Sequence, residues 1–208
     1  MSRKILGVLA PAALSAAFGV SALLAGSPAA AQSSPFVEPP GNLPRVQDGA
    51  QSLDKLFEAL KIAPDDESAK YIEKRIWATW LNSKSDTATL LMSRVKTAVD
   101  GHDTELALRL LTAIIEIQPD YLEAWNRRAT LYFMKKDYSR SLSDLHEVLA
   151  REPRHFGALS GLGIILEELG DEKGALEAFR RALAVHPHLE RIPEMVRRLS
   201  DKVDGRDI

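Results

Sequence analysis

Pro119, Pro153 and Pro187 are evenly spaced, and the segments between them repeat one order of apolar and polar positions. Proline lacks the N–H that a continuing helix needs, so each marks a break. Shifting the chain by that same interval superimposes Leu91, Trp125 and Leu159, then Val95, Ala129 and Gly163, then Ala98, Tyr132 and Leu166. The second half of each segment follows suit with Ala107, Ser141 and Ala175, with Leu108, Leu142 and Leu176, with Leu111, Leu145 and Phe179, and with Ile114, Val148 and Ala182. A fixed period over three units means a chain assembled from stacked copies of one supersecondary unit.

Within a unit the apolar columns recur at three- and four-residue steps, so each half is an amphipathic helix. Asp103, Asp137 and Asp171 mark the middle of each unit, where KKDY leaves room only for a tight turn and the helices must fold back antiparallel. The small residues Val95, Ala129 and Gly163, opposite Ala107, Ser141 and Ala175, fit a close helix crossing.

These units resemble tetratricopeptide repeats, whose pattern is W-x2-L-G-x2-Y, then A-x3-F, then P. The third unit supplies Leu159, Leu162, Gly163, Leu166, Ala175, Phe179 and Pro187, and the second supplies Trp125, Arg128, Ala129, Tyr132, Ser141, Leu145 and Pro153. The first is the most worn, with Leu91, Arg94, Val95, Ala98, Ala107, Leu111 and Pro119. The resemblance implies an all-α chain of antiparallel helix-hairpin repeats, an α-solenoid with units at residues 88–121, 122–155 and 156–189. Arg94 and Arg128 stand where the family has leucine; each stem is expected to pack while its head reaches water or a carboxylate.

An end repeat would expose an apolar face unless something covered it. Upstream, residues 52–87 read as a helical hairpin: Leu53, Leu56, Phe57 and Leu60 form one stripe, and Ala69, Ile72, Ile76 and Trp80 the other. Pro64 and the acids Asp65, Asp66 and Glu67 suit the start of its second helix. The hairpin would be an end cover or a fourth, degenerate repeat. Residues 190–208 read as a capping helix and tail, with a stripe of Ile192, Val196, Leu199 and Val203.

The stretch 1–31 has a different character. Arg3 and Lys4 precede an apolar run from Ile5 to Ala25, and Ala29-Ala30-Ala31 makes an A-x-A cleavage site before Gln32. This predicts a signal peptide and an exported, periplasmic protein with no membrane contact after cleavage; uncleaved, the run would be an inner-membrane anchor facing the periplasm. Residues 32–51, rich in Pro, Gly and Ser, read as a linker. The chain has no cysteine, so thioether lipidation and disulfides are excluded. Cleavage would remove two of 27 basic residues and none of 29 acidic ones, taking the net charge from −2 to −4. That balance predicts no nucleic-acid partner.

No catalytic or metal-binding motif stands out. His186 and His188 flank Pro187 without an HExxH motif and are expected to be structural loop residues; His102, His146 and His155 are expected on the surface. Asp65-Asp66-Glu67 lacks the spacing of a calcium loop. Gly157, Gly161 and Gly163 follow no strand, so they make no dinucleotide fingerprint. No cofactor is expected, and the chain is read as a non-enzyme.

What remains is surface. The resemblance implies a concave face lined by the first helix of each pair, which here gives Met92, Asn126 and Ser160, then Lys96, Thr130 and Ile164, then Val99, Phe133 and Glu167. Such a wall suits a protein partner's extended peptide or helix, with Asn126 able to hold a backbone amide. The expected function is a non-catalytic periplasmic adaptor. The alternatives are an accessory subunit or degenerate enzyme of cell-envelope and peptidoglycan maintenance, and a structural module that self-associates through Trp77, Trp80 or the capping helix.

Overall fold

A computed structural model describes residues 53–206. The expected signal peptide and linker lie outside the described residues. Within them the chain is helical: α1 (Leu53–Lys61), α2 (Asp66–Leu81), α3 (Asp86–Asp100), α4 (Thr104–Ile117), α5 (Leu122–Met134), α6 (Tyr138–Arg151), α7 (Phe156–Glu168), α8 (Glu172–Val185) and α9 (Ile192–Val203), closed by a 3₁₀ turn (Asp204–Arg206). The all-α repeat architecture expected from the sequence is what the chain adopts.

Three hairpins, α3–α4, α5–α6 and α7–α8, carry the period, and their turns repeat atom for atom. His102, Lys136 and Gly170 are left-handed at φ 58°, 59° and 83°. Each is followed by an aspartate whose N–H closes on the carbonyl of Ala98, Tyr132 or Leu166 at 2.8–2.9 Å, satisfying a carbonyl that the helix end leaves open. The same aspartates cap the next helix, with Asp103, Asp137 and Asp171 accepting from the N–H of Leu106, Arg140 and Gly174.

The prolines sit second in four-residue turns, where Tyr121, His155 and Leu189 donate back to the carbonyls of Gln118, Glu152 and His186. The hairpin interiors bury Val95, Ala107 and Leu111 in the first, Ala129, Leu145 and Val148 in the second, and Ala175, Phe179 and Ala182 in the third. The crossing is closest at Gly163, where a Cβ would lie 2.4 Å from Phe179 Cε1. At the far end α9 lays Ile192 and Leu199 over Leu176 and Phe179, covering the last repeat.

The family-atypical arginines have different fates. Arg128 bonds Asp144 through Nε and Nη2, both at 2.8 Å, and reaches Thr112 of the preceding hairpin at 3.1 Å. Arg94 is exposed, because among the described residues no helix pair stacks on that side of α3.

The N-terminal hairpin corrects the expectation placed on it. Instead of stacking ahead of the first repeat, α1–α2 runs as a strap along the row of inter-repeat turns. Among the described residues α3–α4 has no end cover, and there Leu90 is 59 % and Ile117 49 % exposed. The apolar faces of α1 and α2 instead form a cluster with Phe156, Val185 and Leu189, at the third repeat.

Candidate interaction surface

The strap engages each turn in order. At its C-terminal end Tyr121 Oη donates to the Leu81 carbonyl at 2.9 Å, and Ser83 Oγ donates to Gln118 Oε1 at 2.7 Å. Burial pushes the Tyr121 phenol up to about 12, with the Glu123 carboxylate adding to the effect, so it remains a donor. At the middle turn Trp80 stacks on His155 and Trp77 meets Phe156 edge-on, with centroids 5.4 Å apart. At the N-terminal end of α2, Glu73 lies 3.3 Å from His186, Asp66 lies 2.6 Å from His188 and Lys70 lies 2.8 Å from Glu190. Alongside, Arg154 joins Asp54 of α1 at 2.7 Å and covers the Phe57 ring.

One histidine expectation changes here. His155 is buried rather than on the surface: its Nδ1 accepts the Ala158 N–H at 3.1 Å and caps α7. His186 is a loop residue as expected, but a buried one facing the Glu73 carboxylate. Burial alone would raise Glu73; the hydrogen bonds of His186 and Trp77 outweigh it and hold the carboxyl below its ordinary value. The Asp66 carboxylate, followed by the Ala63 carbonyl, raises the His188 imidazole above its ordinary value. Among the described residues no group of three or more potential ligands is placed to hold a metal ion.

Beneath the strap lies a polar patch on the first turns of α5. Glu123 and Arg127, both buried, approach to 3.7 Å, and His155 Nε2 lies 3.7 Å from the same carboxylate. Asn126 Nδ2 donates to Glu123 Oε2 at 3.0 Å. The amide singled out from the sequence is thus engaged by a neighbour that sequence reasoning did not weigh.

The other expected groove residues fall into four settings. Met92 is buried in the first hairpin's core, with Val99 packed against it. Ile164 packs into the α8–α9 cluster and Glu167 pairs with Arg198 at 2.6 Å; with Glu168 and Met195 they line a cleft of about 470 Å³. Ser160 is half-buried, with no hydrogen bond to its hydroxyl. The remaining three share the accessible half of the face: Lys96 is exposed and paired with Asp100, Thr130 bonds its own helix at the Asn126 carbonyl, and Phe133 rests partly covered against Tyr138. Met134, 56 % exposed, extends this patch.

Trp77 and Trp80, expected as one route to self-association, are buried within the chain. Their i, i+3 spacing was the available signal. Its partner surface was not legible, because it is built from a turn and a glycine far along the chain.

The tetratricopeptide repeat family profile matches residues 93–145 and 136–189. A TPR repeat-containing protein of Rhizobium etli is 41 % identical over 155 residues, spanning 74 % of this chain and 76 % of that one. The chain belongs to the tetratricopeptide repeat family. Among solved structures, the first TPR of Spaghetti (RPAP3) bound to the HSP90 peptide SRMEEVD aligns with a TM-score of 0.55 at 20 % identity, over 58 % of this chain and 96 % of that one. MamA aligns with a TM-score of 0.53 at 18 % identity, over 74 % and 82 %. These likenesses show the fold. Tetratricopeptide repeats are in general protein–protein interaction modules rather than catalysts. Among the described residues no helix is long and apolar enough to cross a membrane.

Proposed function

We propose that the protein is a non-catalytic adaptor, exported to the periplasm, that docks a partner protein on the face formed by α3, α5 and α7. The reading rests on one observation: Lys96 on α3 and Thr130, Phe133 and Met134 on α5, the first helices of neighbouring repeats, stay exposed or partly exposed, and neither the strap nor α9 buries them. An apolar patch beside a lysine and a hydroxyl offers both burial and directional bonds to a peptide. The export assignment rests on the basic start, the apolar run and the Ala29-Ala30-Ala31 site.

The test is a crosslinking pull-down from the native compartment that compares the wild-type chain with Thr130→Arg and Asn126→Ala. Thr130→Arg should abolish capture of the partner by placing a long cation on the patch. Asn126→Ala should weaken it through the loosened Glu123 carboxylate. Recovery of the same partners at undiminished yield from both variants removes the assignment. Detection of the mature, shortened chain in the periplasmic fraction tests export separately.

A further inference from the structure

We propose that the α5–α7 surface under the strap is a second docking site, for an amphipathic partner helix bearing two bulky aromatic side chains three residues apart. The strap α1–α2 holds that site as an intramolecular occupant until the partner helix displaces it. The proposal rests on the reading of the protein as an interaction module and adds the kind of partner and the gate.

The shape of the site comes first. A Cβ at Gly157 would lie 3.0 Å from Trp77 Cη2, so the glycine opens the slot that the first aromatic fills. The equivalent positions of the other repeats are Thr89 and Glu123, so the slot belongs to this repeat alone. The second aromatic lies flat on His155. The Tyr121 hydroxyl marks where the C-terminal carbonyls of the helix must fall, and His186 and His188 mark where its acidic side chains must fall. The site therefore fixes the direction of its occupant as well as its aromatic spacing.

The wall of the site is unlike a permanent interior. It buries the paired Glu123 and Arg127 side chains, and beside them two buried ring nitrogens, His155 Nε2 and Trp80 Nε1, lack a hydrogen-bond partner. Cores that never open satisfy such groups. A wall that is alternately covered and exposed keeps polar groups because it must also meet water. The edge of the strap is tied by Asp54–Arg154, Asp66–His188 and Lys70–Glu190, each with at least one well-exposed member, and exposed pairs hold weakly. Only residues 82–85 join the strap to α3, and Ser85 caps α3 by itself through the Ala88 N–H, so α3 keeps its start when the strap leaves. A partner helix wins by differential affinity for the open state.

The experiment exploits the absence of cysteine. The full-length Lys70→Cys/Glu190→Cys chain, bridged by a short bismaleimide, ties the strap shut. The probe is a fluorescein-labelled peptide of residues 66–81, held helical by a hydrocarbon staple between the exposed positions 70 and 74. Fluorescence polarisation should show at least tenfold tighter binding to an edge-loosened Asp54→Ala/Asp66→Ala chain than to wild type, and at least tenfold weaker binding to the bridged chain. A probe with Trp77→Ala and Trp80→Ala should not bind. Equal binding to bridged and loosened chains, or none to the loosened chain while its helical circular dichroism is intact, overturns the proposal. If bridging leaves capture of the native partner by the Thr130 patch unchanged while the probe fails, the module reading stands and only the second site falls.

Discussion

The indole of Trp80 lies flat on the imidazole of His155, with ring centroids 3.9 Å apart and planes 10° apart. One ring comes from a strap ahead of the repeats and the other from the turn between the second and third. Their stacking ties the strap to the middle of the repeat row through a buried contact.

Trp80→Ala should therefore release the strap. Losing a buried indole costs about 3–5 kcal/mol, concentrated on α1 and α2. Amide hydrogen exchange should show these helices unprotected while α5 to α8 keep their protection. Unchanged protection of α2 would contradict the strap's dependence on this stack.

Gly163→Ala should destabilise by roughly 1–3 kcal/mol, since the added Cβ meets the Phe179 ring at 2.4 Å. The second repeat holds Ala129 opposite Leu145 at the same two positions. The double variant Gly163→Ala/Phe179→Leu should then recover most of the loss in urea titration, whereas Gly163→Leu should remain worse than Gly163→Ala.

Arg128→Leu restores the family's usual residue and should nevertheless destabilise by about 3–5 kcal/mol, because it leaves the buried Asp144 carboxylate without its bidentate partner. Adding Asp144→Ala should recover much of the loss. A neutral Arg128→Leu in thermal melting would contradict the dependence on this pair.

Lys136→Gly should stabilise by about 1 kcal/mol, because a side chain at φ 59° carries a left-handed strain that glycine lacks. The third repeat already holds Gly170 at this position. His102→Gly should act in the same direction, and a lowered melting temperature in both would contradict the reading of the turn.

Retention of the strap should pass through a maximum with pH. His188 is raised by Asp66, so its contribution is complete below the ordinary imidazole value and fades as pH rises through the shifted one. Glu73 is lowered, so its contribution is complete above the ordinary carboxylate value and fades as pH falls through the shifted one. The strap should be held best at roughly pH 4.5 to 6.5, with Lys70, Asp65 and His186 facing the same pairs. Protection of α2 amides against pH reads this directly. His188→Asn should flatten the alkaline limb alone, and protection that climbs steadily from pH 6 to 9 would be incompatible with it.

The repeats were legible in the sequence because their determinants are local. Asp103, Asp137 and Asp171 cap helices that start beside them, the prolines break helices where they stand, and Val95, Ala129 and Gly163 meet side chains of the second helix in the same hairpin. The departures Arg94 and Arg128 were visible, and so was their need for water or a carboxylate. The direction of the N-terminal hairpin was not. Its stripes of Leu56, Phe57, Leu60, Ile76 and Trp80 state that an apolar face must be covered, but burial has no direction and any apolar surface within reach would satisfy it.

The sequence by itself determined an all-helical stack of hairpins with a fixed turn chemistry, since each turn and crossing is closed by residues within one unit. Only the tertiary structure decided that α2 runs along the turns at Tyr121, His155 and His186, over the buried Glu123 and Arg127, and that α9 rather than open groove meets Ile164 and Glu167. The reason is physical: that choice is made by complementarity between the Trp pair of α2 and a glycine slot on α7 beside the His155 imidazole, far along the chain, which only the stacking of the repeats presents to α2.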